Sequence, residues 1–175
     1  MSRDASRSAL YAVEHLVFAE TLFSEPIGPA GVLDLAGLVG GSDWWRANGV
    51  PFEVVPTRRE AQHSSAQAES SGDTRGQIRL SVHQEDAATL AHELAHLLAA
   101  HHGIGPAHGP LFVAAEIDVV AVVCGTIVAD RLAHALADAG LPAASRAWEA
   151  PERPGDRGLY GRWRSARFLV ETTKH

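Results

Sequence analysis

The chain has a single cysteine, Cys124, so no intrachain disulfide can form. It sits in the apolar run Val119-Val120-Ala121-Val122-Val123-Cys124-Gly125, where a thiol is expected to be buried and inert, without a catalytic or metal-binding role. A lack of disulfides fits a reducing compartment. Also missing is an uninterrupted apolar run of membrane-spanning length. Glu14, His15 and Glu20 break the stretch from Ala9 to Phe23, which argues against a secretory signal. Glu116 and Asp118 break the longest run, Leu111 to Ala129, and the uncharged remainder is far shorter than the ~20 residues a bilayer requires. A cytoplasmic protein with no membrane partner is expected. Basic charge is scarce too. The formal net charge is −6 over 175 residues, which argues against nucleic acid as a partner for the whole chain. There is no internal repeat, and the length suits one domain able to bury a real core.

Histidine, by contrast, is plentiful. Of ten in the chain, five (His92, His96, His101, His102 and His108) fall within 17 residues, and that cluster opens with His92-Glu93-Leu94-Ala95-His96, an H-E-x-x-H pattern. Leu90, Leu94, Ala95, Leu97 and Leu98 give the same segment an apolar helical face. On a helix, side chains at i and i+4 stack roughly 5–6 Å apart at Cβ, so both imidazoles reach one metal ion. Glu93 lies about 100° further round the helix, within reach of a water on that ion. Two neutral nitrogen ligands, a general base and room for water are what a zinc hydrolase needs. The expected cofactor is therefore Zn2+, with His92 and His96 as ligands and Glu93 as the catalytic base.

The rest of the chain reads as a mixture of helices and a little sheet. Leu10, Val13, Val17, Phe18 and Leu22 have helical spacing and predict a helix from about Ser6 to Glu25, ended by Pro26, Gly28, Pro29 and Gly31. A weaker helix covers Val32 to Val39, and Ser42 or Asp43 can cap a short one carrying Trp44 and Trp45. Phe52 to Val55 and Gln77 to Val82 read as strands. Residues 57 to 74 are polar and aperiodic and read as a loop or mobile insertion. Glu85 and Asp86 open the motif helix, Gly103 closes it, and Ile104-Gly105-Pro106 makes a tight connection. Pro110 begins a further helix that runs, with a break at Gly125, to about Ala139. The division expected is a body over 1–142 and an extension over 143–175 that is net positive at +3 and interleaves arginine with Trp163 and Phe168.

A catalytic zinc usually takes three protein ligands and keeps one position open. The sequence offers three candidates for the third. His102 has metzincin spacing, but Ala99 stands where that spacing needs a glycine to turn the chain. If the helix continues instead, His101 and His102 are cations at its C-terminus. Glu116 lies 20 residues after His96, as a gluzincin-type glutamate would. His108 follows a Gly-x-Gly-Pro break and starts the next helix.

His92-Glu93-x-x-His96 followed by His108-Gly109-Pro110-x-Phe112 resembles the SprT/Spartan-like zinc proteases. It is closer still to a family of small metallohydrolases from high-GC bacteria and their phages, which share an N-terminal helix like Ser8-Ala-Leu-Tyr-Ala-Val-Glu-His15. The likeness covers about residues 5 to 142. It implies a compact α+β, zincin-like fold (minigluzincin or SprT-like) with a small sheet and an H-E-x-x-H helix. It also implies His92, His96 and His108 as the ligands, Glu93 as base, and a peptide or protein as substrate. In zincins an edge strand near the motif helix often holds the peptide, a role that falls to Gln77–Val82 by analogy. Two other readings remain. His92-Glu-Leu-Ala-His-Leu-Leu98 also resembles the ImmA/IrrE-type peptidases that inactivate repressors, although Glu116-Ile-Asp-Val-Val matches their ligand helix poorly. A non-enzymatic, zinc-stabilised module binding through the Arg/Trp extension is the third. For oxyanion stabilisation, His101, His102 and Tyr160 are the candidates.

Overall fold

The computed structural model describes residues 3–55, 63–69, 75–103, 108–152 and 157–172. The chain is a mixed α+β protein, mostly helical, with one three-stranded sheet. Helix α1 (Arg3–Phe18) buries the stripe Leu10, Val13 and Val17 predicted for it. It ends earlier than that stripe suggested. The hydroxyls of Thr21 and Ser24 both donate to the Phe18 carbonyl, at 2.6 and 3.0 Å, and take the acceptor a further helical turn would use. Only a single 3-10 turn, Leu22–Ser24, follows.

The prolines and glycines read as stops turn out to start α2 (Gly28–Gly40), with Pro29 in its first turn, where its missing N–H costs nothing. Ser42 caps α3 (Asp43–Asn48) by accepting from the Trp45 amide. Trp45 is buried and donates its indole N–H to Val50.

The sheet runs β1 (Phe52–Val54), β3 (Arg75–Arg79), β2 (Ser65–Glu69), with β1 parallel and β2 antiparallel to the central β3. Two expectations are corrected here. The strand expected at 77–82 spans 75–79, because the chain turns at Ser81, whose hydroxyl donates to Gln84. Part of the expected loop 57–74 is strand β2, while 57–62 and 70–74 lie outside the described residues. Gly76 lets the sheet approach the next helix closely, since a Cβ there would stand 2.5 Å from the Leu97 side chain, which would have to shift.

That helix is α4 (Ala87–His102). Asp86 caps it, with one carboxylate oxygen accepting from the Thr89 amide at 2.7 Å and the other from the Thr89 hydroxyl. It is buried on nearly every side, packed against α5 (Pro110–Cys124) and the sheet. The Ile104-Gly105-Pro106 connection lies outside the described residues. Helix α5 is almost wholly buried, including Cys124 at 0 % exposure. Burial pushes the Cys124 thiol far up, which leaves no thiolate for reaction. Gly125, at φ 102°, turns the chain into α6 (Thr126–Asp138), a backbone state glycine adopts freely.

The extension is not a loose tail. Arg146 and Trp148 both donate to the buried Asp118 of α5. Helix α7 (Gly158–Thr172) lies over α5 and α2 and buries Leu159, Tyr160 and Trp163. Phe168, by contrast, is 68 % exposed. Among the described residues, no helix is long and apolar enough to cross a membrane.

Candidate metal centre

Helix α4 places His92 and His96 one turn apart on the face turned toward the entry to α5. His108 arrives from the other side, just before the Gly109-Pro110 start of α5. Its backbone is left-handed, φ 63°, which costs a non-glycine residue about 1–2 kcal/mol and persists only where the surroundings enforce it. The effect is to bring three imidazoles together. One ring nitrogen of each lies within 4.8 Å of the others, and Nε2 of His92 is 3.4 Å from Nε2 of His108. Two nitrogens at tetrahedral vertices of a zinc ion sit about 3.3–3.4 Å apart, given Zn–N bonds of about 2.05 Å. The donor set and its spacing therefore fit zinc.

The other nitrogen of His92 has different company. Nδ1 is 2.5 Å from Oε1 of Glu14 and 3.6 Å from Oε1 of Glu116. These three side chains also form a compact group of metal-ligating type. A shared ion is excluded for the shorter pair, because 2.5 Å is well inside the separation of about 3.3 Å between two ligands of one metal. A hydrogen lies between them. Burial works against a charge on either Glu14 or His92. For Glu14, hydrogen bonds from Glu116 and His92 outweigh it and hold the carboxyl below its usual value. For His92, hydrogen bonds to Glu116 and Glu14 outweigh it and raise the imidazole well above the ordinary histidine value. Glu116 goes the other way: burial, and then the charge of Glu14, lift it well above the carboxylate range. The two carboxyls are thus pushed in opposite directions, Glu116 toward its protonated form and Glu14 toward its charged one.

His96 and His108 are both held neutral, at about 3 and about 4, first by burial and then by the charge on His92. Neutral imidazoles are the form a metal binds. Glu93 is buried, and burial raises it to about 7. Its Oε2, like Oε2 of Glu116, has no hydrogen-bond partner among the described residues. Glu93 and His92 line a cleft of about 790 Å3 between α1 and the start of α4, walled on the α1 side by Arg7, Tyr11 and Glu14. The Tyr11 ring lies 5.6 Å from that of His92 and 5.5 Å from that of His108, and the Arg7 guanidinium sits over it at 5.4 Å. A separate groove of about 670 Å3 between α2, α3 and β1 is lined by side chains such as Leu33, Trp45 and Phe52, with no histidine among the described residues that line it.

The remaining candidates are elsewhere. His102 lies outside the cluster, bonded to the Asn48 carbonyl and packed at a tilt against Trp148. His101 is exposed beside it. Tyr160 spends its hydroxyl on the Leu22 carbonyl in the α7 contact. Glu116 stands behind His92 and not beside the three facing nitrogens. Reading the sequence residue by residue did not find Glu14 and Tyr11. The available signal was a carboxylate at position 14 flanked by the buried Val13 and Val17 and four residues after Leu10, where a surface helix would not place one. Compared with protein-family models, curated proteins and solved structures, the chain matches none.

Proposed function

We propose that the protein is a zinc-dependent hydrolase, a metallopeptidase of zincin type in which His92, His96 and His108 hold the ion and Glu93 is the general base. The observation that carries this reading is the convergence of three imidazole nitrogens beside a buried carboxylate that faces a cleft and has one oxygen without a partner among the described residues. A zinc ion held there would supply an activated water and polarise the scissile carbonyl. The residues then divide the work. His96 and His108 would bind as neutral donors, and His92, charged without the ion, would release its Nε2 proton on binding while keeping Nδ1–H on Glu14. Glu93, raised to about 7, is matched to taking a proton from water near neutrality and passing it to the leaving amine nitrogen. Arg7 and Tyr11 wall the cleft in which the peptide would lie.

The strand assignment changes with the topology. β3 is paired on both sides and cannot accept another strand. Of the two outer strands, β2 is the one packed on α4, so this reading lays the substrate along β2, by main-chain hydrogen bonds.

The test pairs metal analysis with a panel of peptides and unfolded proteins. Wild-type protein is expected to carry about one zinc and to cleave amides. Glu93→Gln keeps the size and removes the proton acceptor, so it should retain zinc and lose a factor on the order of 10²–10⁴ in rate. A wild-type protein that closes its zinc in a four-ligand shell and cleaves nothing would refute the hydrolase reading.

A further inference from the structure

The proposed centre uses one nitrogen of His92 and leaves the other against a carboxyl pair that comes from outside the H-E-x-x-H motif. We propose that Glu14 is a positioning residue of the metal centre: it accepts the Nδ1–H of His92 and so fixes the tautomer and ring plane that aim Nε2 at the ion, with Glu116 backing it. This inference rests on the zinc reading above and deepens it.

Three observations carry it. Glu14 is the near partner, at 2.5 Å from Nδ1, while Glu116 stands off at 3.6 Å. The contact is shielded, with side-chain exposures of 10 % for His92, 15 % for Glu14 and 1 % for Glu116, so water is a poor substitute for the carboxylate. The three groups also come from three helices, α1, α4 and α5. The plane of the His92 ring is therefore set jointly by the elements that build the site, including the contacts to Tyr11 on α1 and Phe112 on α5. A histidine ligand whose second nitrogen donates to a carboxylate is held in one orientation and made a stronger donor, and loss of such a partner typically costs 10–100-fold in metal affinity.

The experiment uses the full chain and reads zinc affinity by competition with a chelator, alongside the thermal midpoint of the metal-free protein and 15N spectra of the His92 ring. Glu14→Ala should weaken zinc binding by about 10–100-fold and lose the Nδ1–H signature. Glu14→Gln, which keeps the size and an acceptor oxygen without the charge, should fall between wild type and Glu14→Ala, and it carries the test if Glu14→Ala does not fold. Val13→Ala removes buried apolar contact from the same helix and should lower the midpoint without moving zinc affinity. If wild type binds zinc and folded Glu14 variants bind it equally well, Glu14 does not position the site, although the zinc reading stands. If wild type binds two ions and Glu14→Ala loses one, Glu14 is a ligand and the proposal is wrong. A wild type that binds no zinc overturns both readings.

Discussion

Two buried carboxylates stand two residues apart on α5 and are treated in opposite ways. Asp118, 2 % exposed, accepts two hydrogen bonds from the Arg146 guanidinium, at 2.5 and 2.8 Å, and one from the Trp148 indole at 2.9 Å. Glu116, 1 % exposed, faces a histidine and another carboxyl and leaves one oxygen without a partner among the described residues. A buried charge is costly unless it is paired and its lone pairs are satisfied. Asp118 meets that condition and acts as architecture, fastening the segment after α6 to the core. Glu116 does not, and groups left in that state cluster at functional sites. One helix thus carries, two residues apart and on nearly opposite faces, one closed carboxylate and one left partly unpartnered.

The sharpest way to break the contrast is to strip Asp118 of its cation. Arg146→Ala should destabilise the fold by about 3 kcal/mol, the low end for a broken buried pair because the arginine side chain is 45 % exposed, as read by denaturant unfolding. A value near zero would mean that solvent already pairs Asp118. Neutral isosteres at the two positions come next. Asp118→Asn gives up charge-assisted bonds and should cost about 1.5–3 kcal/mol. Glu116→Gln replaces a carboxyl that burial pushes toward its protonated form, so the metal-free protein should hardly change. Equal losses at both positions would erase the distinction drawn here.

A further comparison concerns Asp86, the cap of α4. Asp86→Ala should cost about 1 kcal/mol through the lost cap, whereas Asn caps as well as Asp. Burial raises the Asp86 carboxyl above its ordinary value. The folded state therefore holds this proton more tightly than the unfolded chain does. The stability it contributes is complete below the unfolded value of about 3.9 and is lost as pH rises through the folded one. Stability of Asp86→Asn relative to wild type should accordingly improve as pH rises from about 4. Unfolding curves at a series of pH values check this, and a difference that stays flat or runs the other way contradicts it.

The helices that build the site were legible because their signals are local: the apolar face around His92, Asp86 at the start, Gly103 at the end, Pro110 and Gly125 bounding α5. That His92 and His96 share one face was legible from helical spacing; His108 was one of three candidates for joining them, favoured by its place after the chain break and then by resemblance. What could not be read depends on tertiary partners. Ser65-Ala66-Gln67-Ala68-Glu69 has no β-branched or aromatic residue, and it is a strand because β3 offers Gly76 and Ile78 opposite it, context overriding propensity. Helix α7 hides among prolines and glycines, its buried Leu159, Tyr160 and Trp163 meaningful only once α5 and α2 are present to cover them. Gly158, at φ 54°, also lies where a Cβ would meet the Val123 carbonyl at 2.4 Å, a reason for that glycine invisible before the two helices meet. Glu14 escaped because its partner is 78 residues away.

That separation also sets a timetable. α1 precedes α4 in the chain, yet its Glu14 meets the ring of His92 on α4, and the third imidazole and the second carboxyl come later still. Contacts this distant in sequence are late, slow closures. A growing chain thus holds pieces of the centre long before it holds the centre. On the proposed hydrolase reading, that order of assembly withholds the chemistry until the fold that confines it is finished.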